Sequence, residues 1–269
     1  MRVLVSGATG FIGLPIVHNL QQQGHTVLAI SRIAQNKSLN TDVKWLKADL
    51  SSTETYQNAV KDFDPEAVIH LAWEGIPDFS FERSFNNLNQ SLALLSFVIG
   101  LGSCRKILVS GSCFEQNRLK GECPETEIGT PKDNFTWAKH SIHSWLEVFC
   151  EKKEIELGWL RVFYVYGPRQ RQSSLIPIIL THLKNGKLPE LRTPQNANDF
   201  VYVDDVAKAF SDAVSKPTPS GIYNLGSGFS TSVLEICRQA EQIVLGSDSL
   251  TCELEEKTQE SVCDVDFWA

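Results

Sequence analysis

Near its amino end the chain reads GATGFIG, which sets Gly7, Gly10 and Gly13 at a repeat of three. A strand-like run, RVLVS from Arg2, precedes these glycines and an amphipathic segment from Leu14 follows. Glycines at such a junction permit a tight turn and let backbone N–H groups approach a pyrophosphate, whose charge the helix N-terminus then meets. The chemistry implied is dinucleotide binding, with a purely structural glycine turn as the alternative.

The next apolar run, TVLAIS from Thr26, ends at Ser31 and is followed by Arg32. A carboxylate there would receive the adenosine ribose hydroxyls of NAD and repel a 2′-phosphate, whereas a serine and a guanidinium could bind one. NADP is therefore the favoured cofactor and NAD the alternative; Arg32 as a solvated surface charge is the competing reading. Asp49, in KADL, is placed to accept a hydrogen bond from an adenine amino group or to cap the turn that follows. Thr9, Phe11, Ile12, Leu50, Leu71, Ala72 and Trp73 complete the expected cofactor wall.

The elements that must position these residues follow from periodicity. Strand-length runs recur as VKWLKAD from Val43, AVIHLA from Ala67, KILVSG from Lys106 and LGWLRVFYV from Leu157. Helix-length amphipathic segments lie between them, one over Leu14–Gln23 closing at Gly24 and one over Asn87–Leu101 closing at Gly102. The alternation predicts βαβ units and a doubly wound, Rossmann-type parallel sheet in the α/β class. After Gly167-Pro168 the rhythm breaks, and FVYVDD and YNLGSG restore strand character. The expected division is a dinucleotide-binding domain over 1–166, with 199–228 returning to it, and a small discontinuous substrate cap over 167–198 and 229–269. The acidic tail from Ser247 is weakly patterned.

With 269 residues and 42% hydrophobic content, the chain can bury one large core. A formal charge of -7 argues against a nucleic-acid surface. No apolar run approaches the roughly 20 residues that span a bilayer, and the chain opens on a strand pattern in place of a signal segment. A cytoplasmic protein is expected. Seven cysteines without CxxC pairing or metal-ligand spacing read as free thiols, and no metal is expected.

Taken in order, GATGFIG, ADL at Ala48–Leu50, IHLAW at Ile69–Trp73, the Asn87 helix, LVSGSC at Leu108–Cys113, Lys139, YGP at Tyr166–Pro168, DFVYVDDVA at Asp199–Ala207 and YNLGSG at Tyr223–Gly228 resemble the extended short-chain dehydrogenase/reductase family. This is the NAD-dependent epimerase/dehydratase group acting on nucleotide sugars. The resemblance implies hydride exchange at a sugar carbon, carried by a serine or threonine, a tyrosine, and a lysine four residues beyond it. Ser112 and Lys139 hold two of these positions; the tyrosine position is Phe135. A phenyl ring can neither donate nor accept a proton, and loss of a positioned acid/base costs roughly 10²- to 10⁴-fold in rate. Cys113, Glu115, His140 and Ser112 through a water are the candidates for a substitute. Glu115 as a loop carboxylate, Cys113 as a buried structural thiol and His140 turned about 100° from Lys139 are the alternatives. Tyr164 and Tyr166 are read as packing residues before catalytic ones.

At the substrate end the resemblance implies an asparagine where this chain has Tyr164 and an arginine where it has Asn198. Arg169, Arg171 and Arg192 could supply a cation for a diphosphate, or could be solvated. Leu175, Ile176 and Pro177 could pack a base or simply the cap, and Trp73 and Glu74 stand where a sugar pocket would open. The resemblance also implies further elements after Ala269, so either a shortened cap or a truncated gene is expected, and either would leave the pocket more open. A homodimer through the Asn87–Leu101 and Phe135–Lys152 helices is expected too, with Leu92, Leu95, Ile142, Leu146 and Phe149 as a seam or as sheet-facing residues. The sequence thus favours an NADP-using enzyme on a nucleotide sugar; the alternative is a non-catalytic NAD(P)-binding protein that recognises a partner or small molecule.

Overall fold

A computed structural model describes residues 1–33, 42–258 and 263–269. In chain order it contains β1 (Arg2–Ser6), α1 (Gly13–Gln22), β2 (Thr26–Ser31), β3 (Val43–Lys47), α2 (Gln57–Phe63), β4 (Ala67–His70), α3 (Phe81–Leu101), β5 (Lys106–Ser112), β6 (Lys120–Glu122), α4 (Asn134–Lys153) and β7 (Glu156–Val162). These are followed by β8 (Tyr164–Tyr166), α5 (Leu175–Leu183), β9 (Ala197–Asn198), β10 (Phe200–Tyr202), α6 (Val203–Ser215), β11 (Gly221–Leu225), β12 (Thr231–Ser232), α7 (Val233–Leu245), α8 (Ser249–Thr258) and β13 (Asp266–Trp268). They form two compact units, one of residues 1–117, 125–162 and 203–225, the other of 118–124, 163–202 and 226–269. The expected division differs at its edges: 163–166, 199–202 and 226–228 belong to the second unit, as does 118–124, because β6 pairs with β13.

The first unit is a seven-stranded sheet in the order β11-β7-β5-β4-β1-β2-β3, with every neighbouring pair parallel. Its inner strands are covered on both faces, which is why they read as continuous Val/Ile/Leu runs. Leu4, Leu28, Val68 and Ile107 from the strands meet Leu94, Leu95 and Val98 of α3 and Ile142 and Leu146 of α4 in one core. Burial of each such side chain contributes roughly 1.5–3 kcal/mol. Leu95, Ile142 and Leu146, weighed above for a dimer seam, therefore face the sheet.

Two boundaries differ from the sequence reading for local reasons. The helix expected from Asn87 starts at Phe81, because Ser80 caps it by accepting from the Arg83 N–H at 3.4 Å. LGWLRVFYV is two strands: β7 pairs with β5 as far as Val162 opposite Ser112, where β5 ends, and β8 pairs instead with β10. FVYVDD is likewise strand only to Tyr202 before α6 begins.

In the second unit β12, β9, β13 and β6 lie side by side in that order. Asp199 is fully buried and accepts from Ser227 N at 2.6 Å, Ser227 Oγ at 2.7 Å, Gly228 N at 2.9 Å and Ala269 N at 3.1 Å. α5 packs on α7 through Ile179, Leu183, Cys237 and Ala240. The tail that lacked pattern forms α8 and β13. Among the described residues no helix is long and apolar enough to cross a membrane.

Candidate functional site

A groove of about 200 Å³ opens along the glycine loop, at the carboxyl ends of β1, β2 and β4. Gly7 has φ +70°, and a Cβ on it would lie 2.9 Å from the Ala72 nitrogen, so a side chain is excluded by both conformation and space. Gly10 N donates to Gly7 O at 2.9 Å, and a Cβ on Gly13 would fall 2.2 Å from that same oxygen. The loop therefore brings bare backbone to the groove beside the N-terminus of α1, whose first turn carries no acidic residue. That combination fits an anionic dinucleotide. Thr9, Ser31, Arg32, Leu50, Leu71, Ala72, Trp73 and Glu74 line the same groove; Phe11, Ile12, Gly13, Asp49 and Lys139 do not.

At the adenosine end expected from the sequence, Ser31 Oγ lies 2.9 Å from Thr9 Oγ1. Arg32, expected from the sequence to bind a 2′-phosphate or to be a solvated surface charge, is ion-paired with Glu74. Glu74 also bonds Arg83 at 3.3 Å, and Arg83 approaches Asp78 at 3.9 Å. The Glu74 backbone is held by one side chain: Asn87 Oδ1 accepts from its N–H at 2.7 Å, and Asn87 Nδ2 donates to its carbonyl at 3.1 Å. Asp49 takes the turn-capping role, accepting from Ser51 N at 2.9 Å and Ser51 Oγ at 2.8 Å, and these bonds hold its carboxyl below the usual range.

Lys139 projects from the second turn of α4 into the interior. Its ammonium donates to Ser110 O at 2.7 Å and stands 4.2 Å from the Trp73 ring centroid and 5.9 Å from that of Phe135. Burial takes its pKa down to about 8, against the opposing pull of Glu115. Phe135 is itself buried, stacked on Phe79 at 4.7 Å and edge-on to Trp73 at 5.2 Å. His70 lies buried between Ser6 Oγ at 2.7 Å and Ser91 Oγ at 2.9 Å, pushed down to about 3 by burial and then by the charge on Lys139.

Ser112 ends β5 half-buried, and its Oγ accepts from Phe114 N at 3.3 Å. Glu115 is buried beneath it, accepting from Ser112 N at 2.6 Å and Trp159 Nε1 at 2.7 Å, with Arg161 Nε 3.9 Å away. Burial raises its pKa, while Lys139 and the two donors oppose the shift. Cys113 is buried in the same turn, and His140 Nε2 bonds Glu115 O at 3.1 Å.

In the second unit Arg169, Arg171 and Arg192 are exposed, Arg169 with φ +71°. Tyr164 packs against Phe200 and Phe267, Tyr166 against Tyr202, and Leu175 against the α5–α7 core. Asn198 is buried, and its Oδ1 has no hydrogen-bond partner among the described residues.

Asn87 and Gln90, which line the groove, and Phe79, which covers Phe135, were missed by sequence reasoning. A signal existed for Asn87: Ser84, Asn87 and Ser91 form a buried polar stripe at helical spacing, which a sheet-facing helix carries only where something polar must be held.

Comparison with known proteins agrees with this geometry. A family model described as the NAD dependent epimerase/dehydratase family matches residues 3–226. The dTDP-D-glucose 4,6-dehydratase of Bos taurus is 25% identical over 263 residues, covering 92% of this chain and 74% of the relative. The ADP-L-glycero-D-manno-heptose-6-epimerase of Thiobacillus denitrificans is 26% identical over 276 residues, covering 92% of this chain and 80% of the relative. Among solved structures, UDP-glucose 4-epimerase of Thermotoga maritima with UDP-glucose has a TM-score of 0.80 at 26% identity, covering 91% of this chain and 82% of that one. The Thermus thermophilus enzyme of the same name, in complex with NAD, has a TM-score of 0.73 at 27% identity, covering 93% and 84%. With its parallel sheet, its glycine-loop groove and a family match running almost from the first strand to the end of β11, the chain belongs to the NAD dependent epimerase/dehydratase family.

Proposed function

We propose that the protein binds NAD or NADP in the glycine-loop groove and transforms a nucleotide-linked sugar by hydride transfer at a ring carbon. The observation that carries this reading is Lys139: an ammonium held in the interior, among the described residues, by the Ser110 carbonyl, aromatic faces and the more distant charge of Glu115 is costly unless it serves a ligand. When bound, the nicotinamide supplies the hydride chemistry. The bare backbone of the glycine loop meets the pyrophosphate, Lys139 holds the nicotinamide ribose, and the Ser112 hydroxyl orients the sugar oxygen. Ser31 and Arg32 are the features that support NADP, and the family's NAD dependence supports NAD. Arg169, Arg171 and Arg192 are proposed to meet the substrate diphosphate, with Trp73, Tyr164, Leu175 and Asn198 as further substrate contacts; Glu74, expected among them from the sequence, is engaged with Arg32 instead.

Phe135 leaves the proton-transfer role open in this scheme. Cys113 and Glu115 are the substitutes first weighed, but the Glu115 carboxylate accepts from Ser112 N and Trp159 Nε1, which favours a positioning role. A second reading, dinucleotide binding without turnover, is favoured by the enclosure of the Phe135 ring between Phe79 and Trp73. NAD(P)H oxidation against nucleotide-linked 4-keto sugars, with a product assay for redox-neutral epimerisation, separates them for the native chain and for Phe135→Tyr. Turnover by the tyrosine form supports the enzyme reading; dinucleotide binding without any product from either form supports the second, and no binding ends both.

A homodimer is proposed through the outer faces of α3 and α4, where Phe81 stacks with Phe85 and Trp137, and Val148 and Phe149 are exposed. A monomer in sedimentation at micromolar concentration overturns it.

A further inference from the structure

We propose that Glu74 sets the cofactor choice by holding Arg32 away from a 2′-phosphate, so that the groove prefers NAD although the sequence at the end of β2 is that of an NADP site. The inference rests on the dinucleotide reading of the groove.

Arg32 follows β2, where a guanidinium would meet a 2′-phosphate, yet it is bonded to the Glu74 carboxylate, which lies 42 positions away in the chain. Both residues line the groove. Glu74 is not a loosely solvated acid: its side chain is 27% exposed, and it bridges Arg32 to Arg83. Its backbone is fixed at both N–H and carbonyl by Asn87, which is itself buried. Gly75 follows at φ +85°, and the Arg83 side chain fills the space its Cβ would need, 2.7 Å away. The carboxylate is thus presented from a fixed stem.

The charges along this rim, Arg32, Glu74, Arg83 and Asp78, sum to zero. An incoming phosphate dianion meets Glu74 before it gains Arg32, whereas a ribose hydroxyl pair carries no charge and can donate to a carboxylate. Neutralising Glu74 frees the Arg32 guanidinium, leaves Arg83 with Asp78 and removes one repulsion.

The test is titration of the protein with NAD⁺ and NADP⁺, read by calorimetry, for the native chain, Glu74→Gln, Glu74→Asp, Arg32→Ala and the Glu74→Gln/Arg32→Ala pair. The native chain and Glu74→Asp are expected to bind NAD⁺ more tightly. Glu74→Gln is expected to move the Kd ratio toward NADP⁺ by roughly tenfold, and most of that shift is expected to vanish when Arg32 is absent. A native preference for NADP⁺, a ratio unmoved by Glu74→Gln, or an equal shift without Arg32 each overturns the proposal. If the native chain binds neither dinucleotide, the reading of the groove falls and this inference with it; binding with an unmoved ratio removes the inference alone.

Discussion

The Lys139 ammonium lies 4.2 Å from the centre of the Trp73 ring and donates a hydrogen bond to the Ser110 carbonyl. One backbone acceptor and an aromatic face replace the water shell that a lysine normally keeps, and burial lowers its pKa to about 8 from 10.5. Between those two values the unfolded chain holds a proton that the folded chain has lost. This group's contribution to stability therefore rises with pH through that window and is least favourable below pH 8. Denaturant unfolding of the native chain and Lys139→Gln at pH 7.5 and 9.5 checks it: the native-minus-variant difference is expected to grow by about 2 kcal/mol. A difference that shrinks with pH would contradict the burial argument.

Asn87 makes three hydrogen bonds with a single amide, to both backbone groups of Glu74 and to the Arg83 carbonyl at 2.8 Å. Asn87→Ala leaves the Glu74 N–H and carbonyl without these partners and is expected to cost about 1–3 kcal/mol. Urea unfolding measures the loss, and hydrogen exchange at Glu74 shows whether it begins at this loop. An unchanged exchange rate would mean that the loop is held by other contacts.

Gly13 tolerates no Cβ, since the Gly7 carbonyl lies 2.2 Å from where it would be. Gly13→Ala is expected to destabilise the first unit by roughly 1–3 kcal/mol and to abolish dinucleotide binding, because the loop must move off the start of α1. Retained binding at native affinity would show that the loop is not the pyrophosphate seat.

Glu115 accepts hydrogen bonds from the Ser112 N–H and the Trp159 indole while facing Arg161. In Glu115→Gln one acceptor becomes a donor aimed at a donor, with an expected loss of about 2–4 kcal/mol. In a Phe135→Tyr background, a positioning Glu115 predicts that this variant changes stability and KM while the pH profile of kcat keeps its shape. A displaced profile would instead assign it the proton.

The sheet was legible because inner strands covered on both faces must be largely apolar, as VLAI from Val27 and AVI from Ala67 are, and because Gly24 and Gly102 mark helix ends. The first turns of α3 were not, since Phe81 and Phe85 are exposed and the inward stripe opens on a polar residue, Ser84. Nor was the break between β7 and β8: both are apolar, and the interruption is imposed by the length of a neighbouring strand. The groove was legible from GATGFIG, and the charge of Arg32 from its place after β2. Its partner was not, because an ion pair across 42 positions leaves no periodic trace. The aromatic cover over Lys139 was hidden for the same reason: Trp73, Phe79 and Phe135 meet only once the chain has folded.

In the second unit β13, residues 266–268, lies between β9 and β6, and the Ala269 N–H closes on Asp199. The ribosome makes this inner strand after both its neighbours, so residues 120–122 and 197–198 keep open edges on a nascent chain until residues 266–268 have emerged. A tether that keeps residues 266–269 inside the exit tunnel is expected to leave the 118–124 segment open to protease, and release is expected to protect it. Closure of this four-stranded sheet thus waits for residues 266–268, the strand that joins β9 to β6.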